Sequence, residues 1–480
     1  MKGEHLDNLP ARLIKNTGLM IAGRALRGLT EMFSMVILAR YLGVANFGVY
    51  SFILAYLGFF SIIIDFGIDN ILTREISKDR LRAGKLSANA IVIKLTLSII
   101  AAGFACLFIS IFDFPQATRI LVYVASISFI FYVRKLYELI FHIDLRVIYP
   151  VIAESAGGIL KLTLFFLLIF FKAPILAFIL ALLIVHLLEF ITIKTFSRSF
   201  IKPVYEIDFR LWKYFFNESW PLAATAVFVM AYTRINQLLI FKLKGEEALG
   251  FFAAAVSMAE VFNIVIASFM ALAFPLLSRY FKEGDGRFEK IYKLSFKYMF
   301  LFILPFAAVI SVFHQQITSL IYGQRFILTA GVLSILIWSE VFLFFGTIQS
   351  RILIAANKQK FDFFFTGLTA VVNLIINLIF IPKFGIIGAA ISTVISFVFT
   401  CTIGYFFAET RSFVLAGWQA LTKPLFCSLA MFLFMVATRE NPYLGISGGI
   451  LTFAACALVI KGIDGADINL IRNLIWKQSI

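Results

Sequence analysis

Hydrophobic positions in this chain come in long runs, not in alternation with polar ones. From Thr17 to Ile460, roughly fourteen apolar stretches of about 20 residues each follow one another, each long enough to cross a ~30 Å hydrocarbon core. The spans read as 17–39, 47–68, 88–110, 119–142, 150–171, 174–196, 216–240, 247–273, 294–313, 329–354, 362–382, 386–408, 418–437 and 443–461. Barrel strands would be about half as long and would alternate in polarity, so the pattern predicts helices.

The polar gaps alternate in charge. Taking the N-terminus as cytoplasmic, 28 of the 43 Lys and Arg fall in every second gap, 8 in the opposite gaps and 7 within spans. Positive charge stays on the cytoplasmic side of a membrane. The net charge of +16 is therefore spent on orientation and on anionic headgroups, not on nucleic acid. An even number of spans puts both termini in the cytoplasm. The composition, 61% hydrophobic and 15% charged, leaves no gap long enough for a soluble domain. An enzyme with its chemistry on an extramembrane domain is disfavoured.

Candidate chemistry is sparse. Cys106, Cys401, Cys427 and Cys456 sit in apolar stretches without metal-ligand spacing and read as fillers. The four histidines form no cluster, and no phosphate-binding G-x4-G-K-[ST] loop occurs, so no metal or cofactor is expected. The first apolar stretch carries Arg24, Arg27 and Glu31 and lacks a cleavage site, so it reads as a retained helix. Pro150, Pro174, Pro221, Pro382, Pro424 and Pro442 read as helix ends; Pro275 ends the eighth span and Pro305 kinks the ninth.

An internal repeat is visible. Gly43-Val-Ala-Asn-Phe-Gly48-Val-Tyr50 joins the first two spans, and Gly245-Glu-Glu-Ala-Leu-Gly250-Phe-Phe252 joins the seventh and eighth. A six-span period gives two copies in the same orientation, which predicts two lobes facing a central cavity. The expected architecture is all-α and polytopic: an N-lobe of six helices at 1–205, a pseudo-symmetric C-lobe of six at 206–408, and two further helices with a cytoplasmic tail at 409–480.

Three segments carry a family resemblance. Ala39-Arg40-Tyr41-Leu42-Gly43-Val44-Ala45-Asn46-Phe47-Gly48-Val49-Tyr50-Ser51 resembles the first outer turn of Wzx-like O-antigen and exopolysaccharide flippases. Asp65-Phe66-Gly67-Ile68-Asp69 with Arg74-Glu75-Ile76 resembles their exit from span two. Asn373-Leu374 through Ile381-Pro382-Lys383-Phe384-Gly385-Ile386-Ile387-Gly388-Ala389-Ala390 resembles their junction of spans eleven and twelve. The resemblance covers nearly the whole chain. It implies the multidrug/oligosaccharidyl-lipid/polysaccharide (MOP) transporter superfamily and transbilayer movement of a polyprenyl-diphosphate-linked oligosaccharide. It does not identify the sugar.

A charge at mid-bilayer is costly, so each one within a span faces a cavity or a partner. Arg24, Arg27 and Glu31 share one stripe of the first helix. Arginine suits a diphosphate because its planar fork grips phosphate oxygens in pairs; an internal Arg27–Glu31 pair is the structural alternative. Lys161 and Arg234 are the other candidates for diphosphate contact, with Arg24 behind them. Arg134 and Glu138 read as a structural pair near Lys135 and His142, and Lys94 as a snorkelling lysine. Glu154, Glu260 and Glu340 lie in helices without an obvious local counter-ion and are candidates for coupling to H⁺ or Na⁺. Asp65 reads as a cap or anchor. Phe344-Phe345 and Phe363-Phe364-Phe365 read as greasy surface.

The sequence therefore reads as a plasma-membrane flippase working by alternating access. It would move an O-antigen or exopolysaccharide repeat unit from inner to outer leaflet, probing membrane lipids and other glycan-assembly membrane proteins as further partners. A cation-coupled drug exporter of the same superfamily, a peptidoglycan-precursor flippase, a membrane-embedded glycan ligase or polymerase and a non-transporting assembly scaffold are the rivals.

Overall fold

The computed structural model describes residues 9–144, 146–198, 200, 204, 206–284 and 286–460. The two termini assigned above to the cytoplasm lie largely outside these residues. Among the described residues the chain is helical, with no strand. The helices are α1 (Leu9–Asp65), α2 (Ile68–Lys78), α3 (Ala83–Ile111), α4 (Gln116–Ser126), α5 (Arg134–Ile143), α6 (Ile148–Phe170) and α7 (Ile175–Ser197). They continue with α8 (Phe209–Ala259), α9 (Asn263–Glu283), α10 (Arg287–Tyr322), α11 (Ile327–Ala355), α12 (Gln359–Ile403), α13 (Arg411–Ala437) and α14 (Pro442–Val459). Eleven helical stretches among the described residues are long and apolar enough to cross a bilayer. The protein is multi-pass.

Three of these helices exceed one crossing. At about 1.5 Å per residue, the 57 residues of α1 would run nearly three hydrocarbon thicknesses if straight. Each long helix is broken at a glycine: Gly43 in α1 (φ 73°, ψ 177°), Gly245 in α8 (φ 87°, ψ −178°) and Gly385 in α12 (φ 59°, ψ −136°). Positive φ with extended ψ is essentially reserved for glycine, so these residues set where the helix stops. Gly43 and Gly245, the repeat pair, have nearly the same backbone angles.

Prolines behave differently from their sequence reading. Pro221 and Pro424 lie inside helices, not at their ends, while Pro382 closes the first segment of α12 just before its break at Gly385. The reason is that helices begin before the apolar stretch does: α13 starts at Arg411, seven residues ahead of its expected span. In α10 the helical angles break at Phe313 (φ −104°, ψ 25°), not at Pro305.

Contacts divide the chain into two compact units, residues 12–250 and residues from 251 onward. In the first, α2 is amphipathic; Ile68, Ile71, Leu72 and Ile76 form one buried stripe. That stripe joins Leu86 and Ile93 of α3, Ile140 and Phe141 of α5, and Phe215 of α8 in one core. Asn89 of α3, 1% exposed, holds the start of α8 in place. Its amide donates to the Glu206 carbonyl (2.8 Å), and its oxygen accepts from the Asp208 N–H (2.9 Å) and the Trp212 indole (3.0 Å). Arg74 of α2 adds contacts to Glu218 (2.7 Å) and the Tyr214 hydroxyl (2.9 Å).

In the second unit, Phe344 and Phe345 are fully buried rather than at the surface. Phe345 packs on Phe296 and Trp418, with ring centroids 5.0 and 5.4 Å apart. Gly417 makes that approach possible, because a Cβ there would enter the Phe345 ring. Phe365 is also buried, while Phe363 and Phe364 remain exposed. α14 packs on α13 around Met431 and Met435.

Candidate functional site

Two ion pairs join α1 to α6. Arg27 Nη1 lies 2.9 Å from Glu154 Oε1, with side chains 47% and 26% exposed. Four residues further along α1, Glu31 pairs with Lys161 of α6, whose side chain is only 8% exposed. Small residues set this register. A Cβ on Gly23 would meet Val151, and one on Gly158 would meet the Thr30 hydroxyl. The contacts 23–151, 27–154, 30–158 and 31–161 advance together, so α1 and α6 run parallel here.

Gly157 opens the other side of α6 in the same way, because a Cβ there would collide with the Glu189 carboxylate of α7. Glu189 in turn pairs with Arg134 of α5, and Arg134 also reaches Glu138 at 3.7 Å. Arg27, Arg134 and Lys161 thus face Glu31, Glu138, Glu154 and Glu189. Coulomb attraction offsets the desolvation of each charge only if partners are this close.

The structure redraws several expected partnerships. Arg27 does not pair along its own helix with Glu31; each takes a partner on α6. An Arg placed N-terminal to a Glu is the weaker order for an i,i+4 pair, and close packing at Gly158 brings better partners within reach. Glu154 accordingly has a counter-ion. Lys94 does not snorkel: it is 0% exposed and held 2.6 Å from Asp69, with Asp65 at 3.6 Å. Asp65 also takes Lys135 at 2.9 Å, so it anchors two lysines. Arg24 is exposed, and Arg234 lies half-buried and engaged on α8.

In the second unit, Glu340 of α11 is 4% exposed, and its Oε2 has no hydrogen-bond partner. Glu260, in a short 3-10 turn after α8, is near enough to act on it electrostatically. Polar residues of α12 satisfy one another: Asn377 donates to Asn373 (2.9 Å), and Asn373 donates to Ser396 (3.1 Å). Among the described residues no group of three His, Cys, Asp or Glu is placed to hold a metal. Sequence reasoning passed over Glu31 as the partner of Lys161 and Glu189 as the partner of Arg134; the adjacent Gly157-Gly158, where two helices approach α6, was the available signal.

Among the described residues the fold is helical and multi-pass with ion pairs between its helices, which defines a polytopic membrane protein. Residues 13–281 match the family described as Polysaccharide biosynthesis protein, and the chain belongs to that family. Residues 162–440 also match the family described as Lipid II flippase MurJ. Among curated proteins, the chain is 24% identical over 468 residues to the probable low-salt glycan biosynthesis flippase Agl15 of Haloferax volcanii, covering 92% of this chain and 95% of that one. Among solved structures, it resembles the lipid II flippase MurJ in an inward closed conformation. That likeness has a TM-score of 0.76 at 18% identity and covers 93% of this chain and 98% of that one. It also resembles an inward-facing MATE family multidrug transporter of the MOP superfamily, with a TM-score of 0.65 at 16% identity over 82% of this chain and 96% of that one.

Proposed function

We propose that this protein is a flippase that moves a polyprenyl-diphosphate-linked oligosaccharide from the inner to the outer leaflet of the plasma membrane by alternating access. The observation that carries the reading is likeness along nearly the whole chain: a glycan biosynthesis flippase in sequence and a lipid II flippase in fold. In this reading α1, α8 and α12 each make two crossings, broken at Gly43, Gly245 and Gly385. That gives fourteen crossings with both termini in the cytoplasm.

The Arg27–Glu154 pair supports a route to ion coupling. A diphosphate is a better bidentate partner for a guanidinium than one carboxylate, because it offers more oxygens and more charge. Its arrival at Arg27 would release Glu154. A carboxylate left without a counter-ion among apolar helices is neutralised by a proton or a cation. Substrate at Arg27 then favours an ion at Glu154 and the ion favours substrate, which is the reciprocal linkage that co-transport requires. Lys161, Arg234 and Arg24 are assigned as further contacts for the diphosphate or sugar. Glu260 and Glu340 are a second candidate ion site.

The test is transfer of a fluorescent diphosphate-linked glycolipid between leaflets of liposomes holding the full chain. The reading expects transfer that responds to an imposed pH or Na⁺ gradient. Arg27→Ala should abolish it, and Glu154→Gln should leave downhill transfer while removing the gradient response. Absence of transfer with every diphosphate-linked glycan offered, by correctly folded protein, sinks the reading.

A further inference from the structure

Three lysines on α10, Lys290, Lys293 and Lys297, stand at i, i+3 and i+7 and so share one face of that helix. α13 packs beside α10 and brings Lys423 to the same place. The four ammonium groups line one cavity of about 390 Å³. Glu289 pairs with Lys293 at 2.6 Å, and Lys297 is engaged as well. No ion pair joins Lys290 or Lys423 among the described residues. Lys290 and Lys423 carry like charge and repel one another across this space unless an anion sits between them.

The position says what kind of anion. Both segments, 279–297 and 409–423, are cytoplasmic by the charge pattern of the sequence, so the cavity opens at the inner headgroup level. Its wall is partly apolar, with Leu294 and Ala420 among the lysines. One or two turns further into the bilayer, α13 exposes Phe426 (63%) and Leu429 (50%), a surface suited to an acyl chain. Basic pockets between helices on the cytoplasmic side are where anionic headgroups bind. Lysine, a compact charge on a flexible stem, suits a headgroup phosphate of variable orientation better than a fixed bidentate ligand.

We propose that the cavity between α10 and α13 is a binding site for the phosphate headgroup of an anionic glycerophospholipid of the inner leaflet. This site is separate from the Arg27–Glu154 pair and does not depend on what the protein transports.

The test uses the full-length protein in detergent micelles doped with phosphatidylglycerol, with phosphatidylcholine, or with sodium pyrophosphate and no added phospholipid. Bound lipid is counted by native mass spectrometry, and stability is followed by thermal melting. Phosphatidylglycerol should be retained and should raise the melting temperature, while phosphatidylcholine should do neither. Lys290→Gln with Lys423→Gln should weaken retention on the order of tenfold. Lys282→Gln with Lys360→Gln, which removes the same charge from exposed positions outside the cavity, should leave retention unchanged. Equal retention of both lipids overturns the proposal, as does full retention in the Lys290/Lys423 variant. An equal melting shift with pyrophosphate alone assigns the cavity to a soluble anion and overturns the lipid.

Discussion

A Cβ built on Gly48 would lie 2.9 Å from the backbone nitrogen of Gly250 and would run into the carbonyl oxygen of Glu246. The converse holds: a Cβ on Gly250 would run into the carbonyl oxygen of Val44. Val44 follows Gly43 as Glu246 follows Gly245, so the two contacts are copies of each other across the sequence repeat. Each turn fits the other only because both lack a side chain where they meet.

Gly48→Ala and Gly250→Ala should each destabilise the protein by about 1–3 kcal/mol, since backbone cannot yield as a flexible side chain would. Gly103→Ala, at a helical site where a Cβ meets nothing, should be neutral or stabilise by up to about 1 kcal/mol. Melting temperatures in one detergent would rank the three. A harmless Gly48→Ala would remove the close approach as an explanation for this turn.

The Glu31–Lys161 pair is asymmetric, with Glu31 half-exposed and Lys161 nearly buried. Glu31→Gln strands a buried ammonium and should cost roughly 3 kcal/mol. Lys161→Gln leaves a carboxylate that remains exposed, and should cost clearly less. Chemical or thermal unfolding of both variants tests the order; the reverse order contradicts the burial argument.

Asn89→Ala leaves the Asp208 N–H, the Trp212 indole and the Glu206 carbonyl without their partner. Each unmet group costs about 1–3 kcal/mol where water does not replace the bond. Asn89→Asp keeps the acceptor for Asp208 and Trp212 but turns an oxygen onto the Lys85 and Glu206 carbonyls, so it should recover only part of the loss. Hydrogen exchange at the start of α8 should rise most in the alanine variant and less in the aspartate one.

Lys85, 3.2 Å away, holds the Asp208 carboxylate below its ordinary range, with help from the Arg210 N–H. A depressed folded-state value means that the contribution is present above the unfolded value of about 3.9 and lost as pH falls through the folded one. Asp208→Asn keeps the helix cap and removes the charge. The melting difference between wild type and Asp208→Asn should therefore be constant at neutral pH and close below about pH 4. No difference at neutral pH would mean that the Lys85 contact contributes nothing.

Much was legible before any coordinates. Run length gave the helices, and Gly43, Gly245 and Gly385 already stood at the junctions where the long helices break, because turn geometry at a positive φ is a property of the residue itself. The match to a polysaccharide flippase family was likewise readable from local motifs. Side-chain partners were not. Arg27 could be assigned to Glu31 from spacing, yet takes Glu154 instead, and Lys94 is sealed against Asp69 although its position predicts snorkelling. Phe344 and Phe345 are core, because a uniformly apolar helix carries no mark of which face meets protein and which meets lipid. Sequence alone thus determined which stretches form long apolar helices and where those helices break, through hydrophobic length and glycine conformation. Tertiary structure decided which charges neutralise which, because an ion pair depends on the register between helices, and here Gly23, Gly157 and Gly158 set that register by leaving room for the side chains of Val151, Glu189 and Thr30.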